Sequence, residues 1–159
     1  MWIPRKAESV IRQFAGQFPV VFVTGARQVG KTSILKLLIN DVQASHPKAP
    51  VFYFDLEKEE FLEIFQSHRQ LEGWLKLHGG QLDKELYLFI DEFHYIPNPT
   101  KLFKIMHDSW PNVKIIATGS SSLEISYKIK EIMTGRKRVF NIHPLNFEEY
   151  LFNIAIFDT

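Results

Sequence analysis

Cysteine is absent from all 159 residues. That excludes disulfides and thiolate zinc sites and suits a reducing compartment. The six histidines show no ligand spacing, and H-x-x-x-H does not occur, so no histidine metal site is expected. No run approaches the roughly 18 consecutive apolar residues that a membrane-spanning helix needs. The opening stretch MWIPRKAESVIRQF lacks a long apolar segment before a small-residue cleavage site. A signal peptide is therefore not expected, and the cytoplasm is the expected location. Net charge is only +1, too little for the whole molecule to draw in nucleic acid or a membrane by its field. Internal repeats and low-complexity segments are also missing.

What is present suits one domain over 1–159. A chain of this size buries roughly 68–70% of the surface it exposes when unfolded, and its fourteen phenylalanines are expected to fill that core. In 5–16, Ala7, Val10, Ile11 and Phe14 share one helical face. Five β-branched or apolar runs read as strands: VVFVTG (20–25), VFYFDLE (51–57), LYLFIDEF (86–93), VKIIATG (113–119) and RKRVFNIHPL (136–145). Helical spacing fills the intervals at SILKLLIN, at 58–78, at KLFKIMHDSW and at SSLEISYKIKEIM, the last with Ser121 or Ser122 as its cap. NFEEYLF begins a further helical stretch. Strands alternating with helices predict an α/β fold, a parallel sheet covered on both faces, with ligands at the carboxyl ends of the strands.

GARQVGKT, Gly25 to Thr32, matches G-x-x-x-x-G-K-[ST] in full, after a strand and before a helix. Its chemistry is the holding of a phosphate chain. Glycines let the backbone curl so that successive N–H groups point inward, and the following helix adds its unpaired first-turn amides and positive dipole end. Gly25, Ala26, Arg27, Gln28, Val29, Gly30, Lys31, Thr32 and Ser33 are therefore the expected nucleotide-binding residues. Lys31 supplies charge to the β- and γ-phosphates, and the Thr32 hydroxyl is offered to Mg²⁺.

LYLFIDEF puts Asp91 and Glu92 at the end of a buried strand. Asp91 can hold Mg²⁺ opposite Thr32. Glu92, expected to point the other way along the strand, can orient or deprotonate an attacking water. A solvated acidic pair at a strand end is the plainer reading of the two residues alone. IIATGSSS brings Thr118 and Ser120 to the tip of the fourth strand, where a hydroxyl can sense the γ-phosphate or align water. The alternative there is a helix cap and a turn.

GARQVGKTS, FIDEFHYIPN, IIATGSSS, MTGR and HPLNFEEYL stand in this order along the chain. In this the sequence resembles the AAA+-like P-loop ATPases of bacteria and archaea that carry a C-terminal domain of unknown function. The resemblance covers roughly the first 150 residues. It implies a three-layer P-loop sandwich with strand order 5-1-4-3-2, Asp91 and Glu92 as Walker B residues, and Ser120 or Thr118 as sensor 1. It implies ATP with Mg²⁺ as ligands. It also implies that the family's C-terminal domain is missing from residues 1–159, and with it any second sensor and the surface for a nucleic acid or protein partner. Oligomers fit this pattern.

Arg136 can act as an arginine finger, a role the resemblance supports, either in its own subunit or in a neighbour. The basic cluster GRKR (135–138), extended by Lys128 and Lys130, can touch nucleic-acid phosphates or stand as a solvated helix end. HGGQ (78–81) reads as a helix stop. Arg27 can reach phosphate or a carboxylate. Trp2, Trp74 and Trp110 read as packing residues. N/T-K-x-D, the usual mark of guanine specificity, is missing, which favours adenine by absence alone. Residues 94–112 contain no arginine, against the arginine-rich lid of a small-molecule kinase. Three readings stand: an ATPase whose hydrolysis drives a partner, a nucleotide-binding module or truncated remnant with little turnover, and, less favoured for want of that lid, a small-molecule P-loop kinase.

Overall fold

The computed structural model describes residues 6–132, 135–149 and 151. Eleven helices and strands follow in chain order: α1 (Lys6–Phe14), β1 (Val20–Gly25), α2 (Lys31–Ser45), β2 (Val51–Asp55), α3 (Glu59–Ile64), α4 (His68–Leu77), β3 (Leu86–Asp91), α5 (Pro99–Ser109), β4 (Val113–Ser120), α6 (Leu123–Glu131) and β5 (Lys137–Ile142). The strands form one sheet in the order β2-β3-β4-β1-β5, and every pairing is parallel. This is the implied order read from its other edge.

Parallel strands need crossover helices, and these cover both faces. Alternation along β3 separates two cores. Leu86, Leu88 and Ile90 face a cluster with Leu71 and Leu75 of α4, Leu102, Phe103 and Met106 of α5, and Ile125 and Ile129 of α6. Tyr87 and Phe89 face the other cluster, with Ile11 of α1 and Ile34, Leu35 and Leu38 of α2. Asp91 shares the register of Tyr87 and Phe89, so its side chain starts on the α2 face.

Element ends depart from the sequence reading for local reasons. Strand β2 stops at Asp55, whose Oδ1 accepts the Glu57 N–H at 3.1 Å and turns the chain. The expected single helix over 58–78 is two helices. Ser67 sits extended between them and accepts the Gln70 N–H at 3.2 Å, restarting the helix as its N-cap. HGGQ does end α4: Gly79 adopts φ +87, and the Gly80 N–H donates to the Leu75 carbonyl at 2.8 Å. Strand β5 is shorter than expected, and Pro144 beyond it has no N–H for the ladder. Ser122 caps α6 through the Ile125 N–H at 3.3 Å. At the NFEEYLF stretch, Asn146 and Glu149 exchange side-chain to N–H bonds at 2.8 and 3.1 Å, a capping box. Trp110 is buried, and Trp74 packs edge-on to Phe52 and Phe54. Trp2, Arg5, Met133, Tyr150 and residues 152–159 lie outside the described residues.

Beneath the carboxyl ends of the strands, Phe22, Phe93 and Phe103 form a ring cluster, with centroids 5.1, 5.4 and 5.8 Å apart. All three are fully buried. Phe93 lies so close to Gly119 that a Cβ there would overlap its ring. The ring has no free side to withdraw to. Gly119→Ala is therefore expected to destabilise the fold by about 1–3 kcal/mol, the usual range for overpacking. Urea denaturation measures this, and an unchanged midpoint would show that Phe93 can move aside.

Candidate active site

The phosphate loop leaves β1 at Gly25, where space is the constraint. A Cβ there would sit 2.6 Å from the Ile142 carbonyl oxygen and 2.8 Å from Val29 Cγ2. Val29 is buried on the α2 face and anchors the loop, while Ala26, Arg27, Gln28 and Ser33 are exposed. Gln28 and Gly30 adopt φ values of 61 and 96. For Gln28 this costs on the order of 1 kcal/mol, a strain found where backbone amides are being aimed. Helix α2 then begins at Gly30 with no capping side chain and no acid in its first turn. Helices α4, α5 and α6 instead begin under Ser67, Asn98 and Ser122. The first amides of α2 are thus left for an anionic ligand.

Lys31 is buried at 4% exposure. Its Nζ donates to the carbonyls of Gly25 at 3.1 Å and Ala26 at 2.8 Å. That holds the ammonium at the mouth of the loop, 4.0 Å from Glu92 Oε1.

Asp91 closes β3 at 3% exposure, and three hydroxyls surround its carboxylate. Thr32 donates to Oδ2 at 2.7 Å, Tyr53 donates to the same oxygen at 3.2 Å, and Thr118 donates to Oδ1. Each comes from a different element: α2, β2 and β4. A buried carboxylate without such donors would cost several kcal/mol. Burial and the neighbouring Asp91 charge push the Tyr53 phenol well above its ordinary value, so it remains a donor.

Glu92 differs from the expectation. The strand has ended by this residue, which adopts φ 59 and ψ 50 as the chain turns into a short 3-10 segment, Phe93–Tyr95. Phe93 must drop under Gly119, and the left-handed turn at Glu92 permits it. The Glu92 N–H donates to Thr118 Oγ1 at 3.0 Å. The carboxylate therefore arrives beside Lys31 rather than on the far side of the strand. His94 Nδ1 stands 3.2 Å from Glu92 Oε2, a distance at which a protonated imidazole would attract the carboxylate, though the two are not aligned as a hydrogen bond. Burial raises the Glu92 carboxyl above the usual range, against the opposing pull of Lys31 and His94. A carboxylate so raised is a stronger base.

Thr118 is fully buried, with its hydroxyl donating to Asp91 and accepting from Glu92. It is a brace between the two acids rather than a group open to a phosphate. Ser120, two residues nearer the strand tip and half-buried, stands 3.4 Å from the Ser122 hydroxyl.

Arg136 is not brought to this site. Lys137 pairs with Val20 and Ile142 with Gly25, so Arg136 lies at the amino ends of the strands. The loop is about 17–20 Å away along β5, beyond the reach of one side chain. Its Nη1 meets His107 Nε2 at 3.2 Å. The other basic residues of that region are also engaged. Lys137 donates to the Lys130 carbonyl at 2.9 Å and to the Ile132 carbonyl, closing α6. Arg138 lies over the Phe14 and Phe140 rings at 5.2 and 5.9 Å. Lys128 pairs with Glu124 at 2.8 Å, and Lys130 lies over Tyr127 at 5.6 Å. The basic run is thus distributed among several fold contacts.

The sequence reading missed two residues, Tyr53 and His94. Strand alternation places Tyr53 on a face, but nothing in VFYFDLE shows that its hydroxyl crosses to Asp91. The Thr32 hydroxyl and Asp91 carboxylate, 2.7 Å apart, are hard oxygen donors at the start of a phosphate-binding helix, and that chemistry fits Mg²⁺. Among the described residues no three His, Cys, Asp or Glu gather as a metal cage. Mg²⁺ needs none where one or two protein oxygens share it with phosphates and water. Among the same residues no helix is long and apolar enough to cross a membrane.

The AAA domain family matches residues 17–151. An uncharacterized protein of Methanocaldococcus jannaschii is 33% identical over 129 residues, covering 81% of this chain and 27% of that protein. An uncharacterized protein of Haemophilus influenzae is 25% identical over 143 residues, covering 87% and 34%. The chain thus spans between a quarter and about a third of the length of these curated relatives. Among solved structures, domain III of the Thermotoga maritima replication initiation protein DnaA superposes with a TM-score of 0.60 at 18% identity, over 93% of this chain and 67% of that one. PCH-2 of Caenorhabditis elegans gives 0.51 at 14% identity, over 95% and 45%. At these identities the likeness is one of fold. The family match runs unbroken from β1 and its phosphate loop past β5, through every strand of the sheet, and the chain therefore belongs to the AAA domain family of P-loop ATPases.

Proposed function

We propose that the chain binds ATP with Mg²⁺ at Gly25–Ser33 and hydrolyses it. The observation that carries this reading is the 2.7 Å bond between Thr32 and Asp91, with Lys31 and Glu92 4.0 Å apart beside it. The α2 amides and Lys31 hold the phosphate chain. Thr32 and Asp91 would hold Mg²⁺, which would neutralise charge on the phosphate oxygens. Glu92 takes a proton from the attacking water while its Oε atoms are held near Lys31 and His94. Thr118 fixes Glu92 to Asp91 through one hydroxyl, and Ser120 reads the γ-phosphate from the tip of β4. The work driven by hydrolysis belongs to a protein or nucleic acid partner engaged outside this region.

A second reading, a nucleotide-binding module with slow turnover, is favoured by one observation. Arg136 lies at the other end of the sheet and serves no nucleotide of its own chain. As a finger it would require a second copy.

Three variants test the site, and the turnover of the parent separates the two readings. Lys31→Ala should weaken ATP binding by about 1.5–3 kcal/mol, the loss of one charge-assisted contact. Calorimetry measures it, and equal affinity would remove the loop assignment. Glu92→Gln should keep ATP affinity and lower phosphate release by roughly 10²–10⁴-fold, since an amide accepts no proton. A parent protein that binds ATP without releasing phosphate leaves the second reading standing. Arg136→Ala should leave ATP affinity unchanged, and a large loss on calorimetry would contradict its placement away from the loop.

A further inference from the structure

Three hydroxyls meet at Asp91, and two of them have evident reasons to be there. Thr32 is the last fixed position of the phosphate loop, and Thr118 braces Asp91 to Glu92. Tyr53 has no such reason. It stands in the edge strand β2, paired with Phe89 across β3. Its ring rests on the α2-face cluster and is half-buried. A phenol so placed can take water as its partner, so Tyr53 does not need Asp91. Asp91, at 3% exposure, does need donors.

The oxygen chosen matters. Tyr53 donates to Oδ2 at 3.2 Å, and Oδ2 also accepts from Thr32 at 2.7 Å. Oδ1 is already fixed by Thr118. With one donor on each oxygen, the carboxylate can still pivot a little about its last side-chain torsion. A second donor on Oδ2, arriving from the strand on the opposite side of β3 from β4, stops that pivot. With both lone pairs of Oδ2 taken, it fixes the direction in which Thr32 donates, and so where the lone pairs of the Thr32 hydroxyl point.

We propose that Tyr53 is a positioning residue for the Mg²⁺–nucleotide site, its hydroxyl locking Asp91 Oδ2 in register with the Thr32 hydroxyl. The inference rests on the Mg²⁺–ATP reading above. Partners in the outer shell of metal sites commonly change metal affinity by about 10–100-fold when removed. Here two of three donors remain, so a smaller effect of roughly 3–10-fold is expected.

The test is Tyr53→Phe, which keeps the ring and its packing and removes only the hydroxyl. ATP binding is measured by calorimetry in EDTA and then across a Mg²⁺ series, with thermal melting of each protein. Tyr87→Phe is the control. Tyr87 lies on the same face at the other end of β3 and donates to Glu85 at 2.9 Å. Tyr53→Phe should leave ATP affinity in EDTA unchanged and raise the Mg²⁺ midpoint by about 3–10-fold, while Tyr87→Phe leaves the midpoint at the parent value. An unchanged or lowered midpoint in Tyr53→Phe overturns the inference, as does an equal shift in Tyr87→Phe. If the parent gains no ATP affinity from Mg²⁺, the metal reading falls and takes this inference with it. A Mg²⁺ response in the parent that Tyr53→Phe leaves untouched removes this inference alone.

Discussion

A carboxylate held out of water must be given hydrogen bonds, and the arrangement around Asp91 follows from meeting that demand. Strand β4 supplies Thr118, β2 supplies Tyr53, and α2 supplies Thr32. Three elements of the fold thus converge on two oxygen atoms. None can shift without straining a hydrogen bond to a buried carboxylate. The hydrogen-bonded distance to Thr32 sets the helix that carries the phosphate loop against the sheet. The Thr118 hydroxyl passes the same constraint to the backbone of Glu92. The position of the second acid is therefore a consequence of the first.

From below, the constraint is apolar. Phe93 follows Glu92 directly and is buried against Phe22, Phe103 and the bare backbone of Gly119. The left-handed backbone at Glu92 is the geometry that lets one residue face the site while its neighbour enters the core. Such a conformation costs free energy in a residue with a side chain. It is held by a hydrogen bond on one side and ring packing on the other.

Much of this was legible in the sequence, because the signals were local. The phosphate loop is a contiguous motif, the buried strands are continuous apolar runs, and HGGQ and Ser122 are helix stop and start chemistry. What was not legible depends on distance or direction. The sequence of β3 does not say where the strand ends and the turn begins, so Glu92 was expected on the wrong side. The basic run around Arg136 looked like one feature. Its members face α5, the end of α6 and two aromatic rings, because successive residues in a strand and its approach point apart. Tyr53 reaches Asp91 diagonally across a strand pairing, a relation no single-sequence period encodes. The AAA domain family match spans residues 17–151, and the unexpected contacts are the non-local ones.

The strand order also has a consequence in time. Strand β1 carries the phosphate loop, yet its neighbours in the sheet are β4 and β5, with Val20 paired to Ile115 on one side and Lys137 on the other. Neither partner is near it in sequence. Contacts between residues so far apart form slowly, because a long loop must close before they are rewarded. The first chemical motif in the chain thus depends on pairing with strands from its far end. During synthesis, GARQVGKT would leave the ribosome well before the strands that shape it. A chain interrupted ahead of Ile142 would carry every residue of the loop and lack the strand whose backbone walls it in at Gly25.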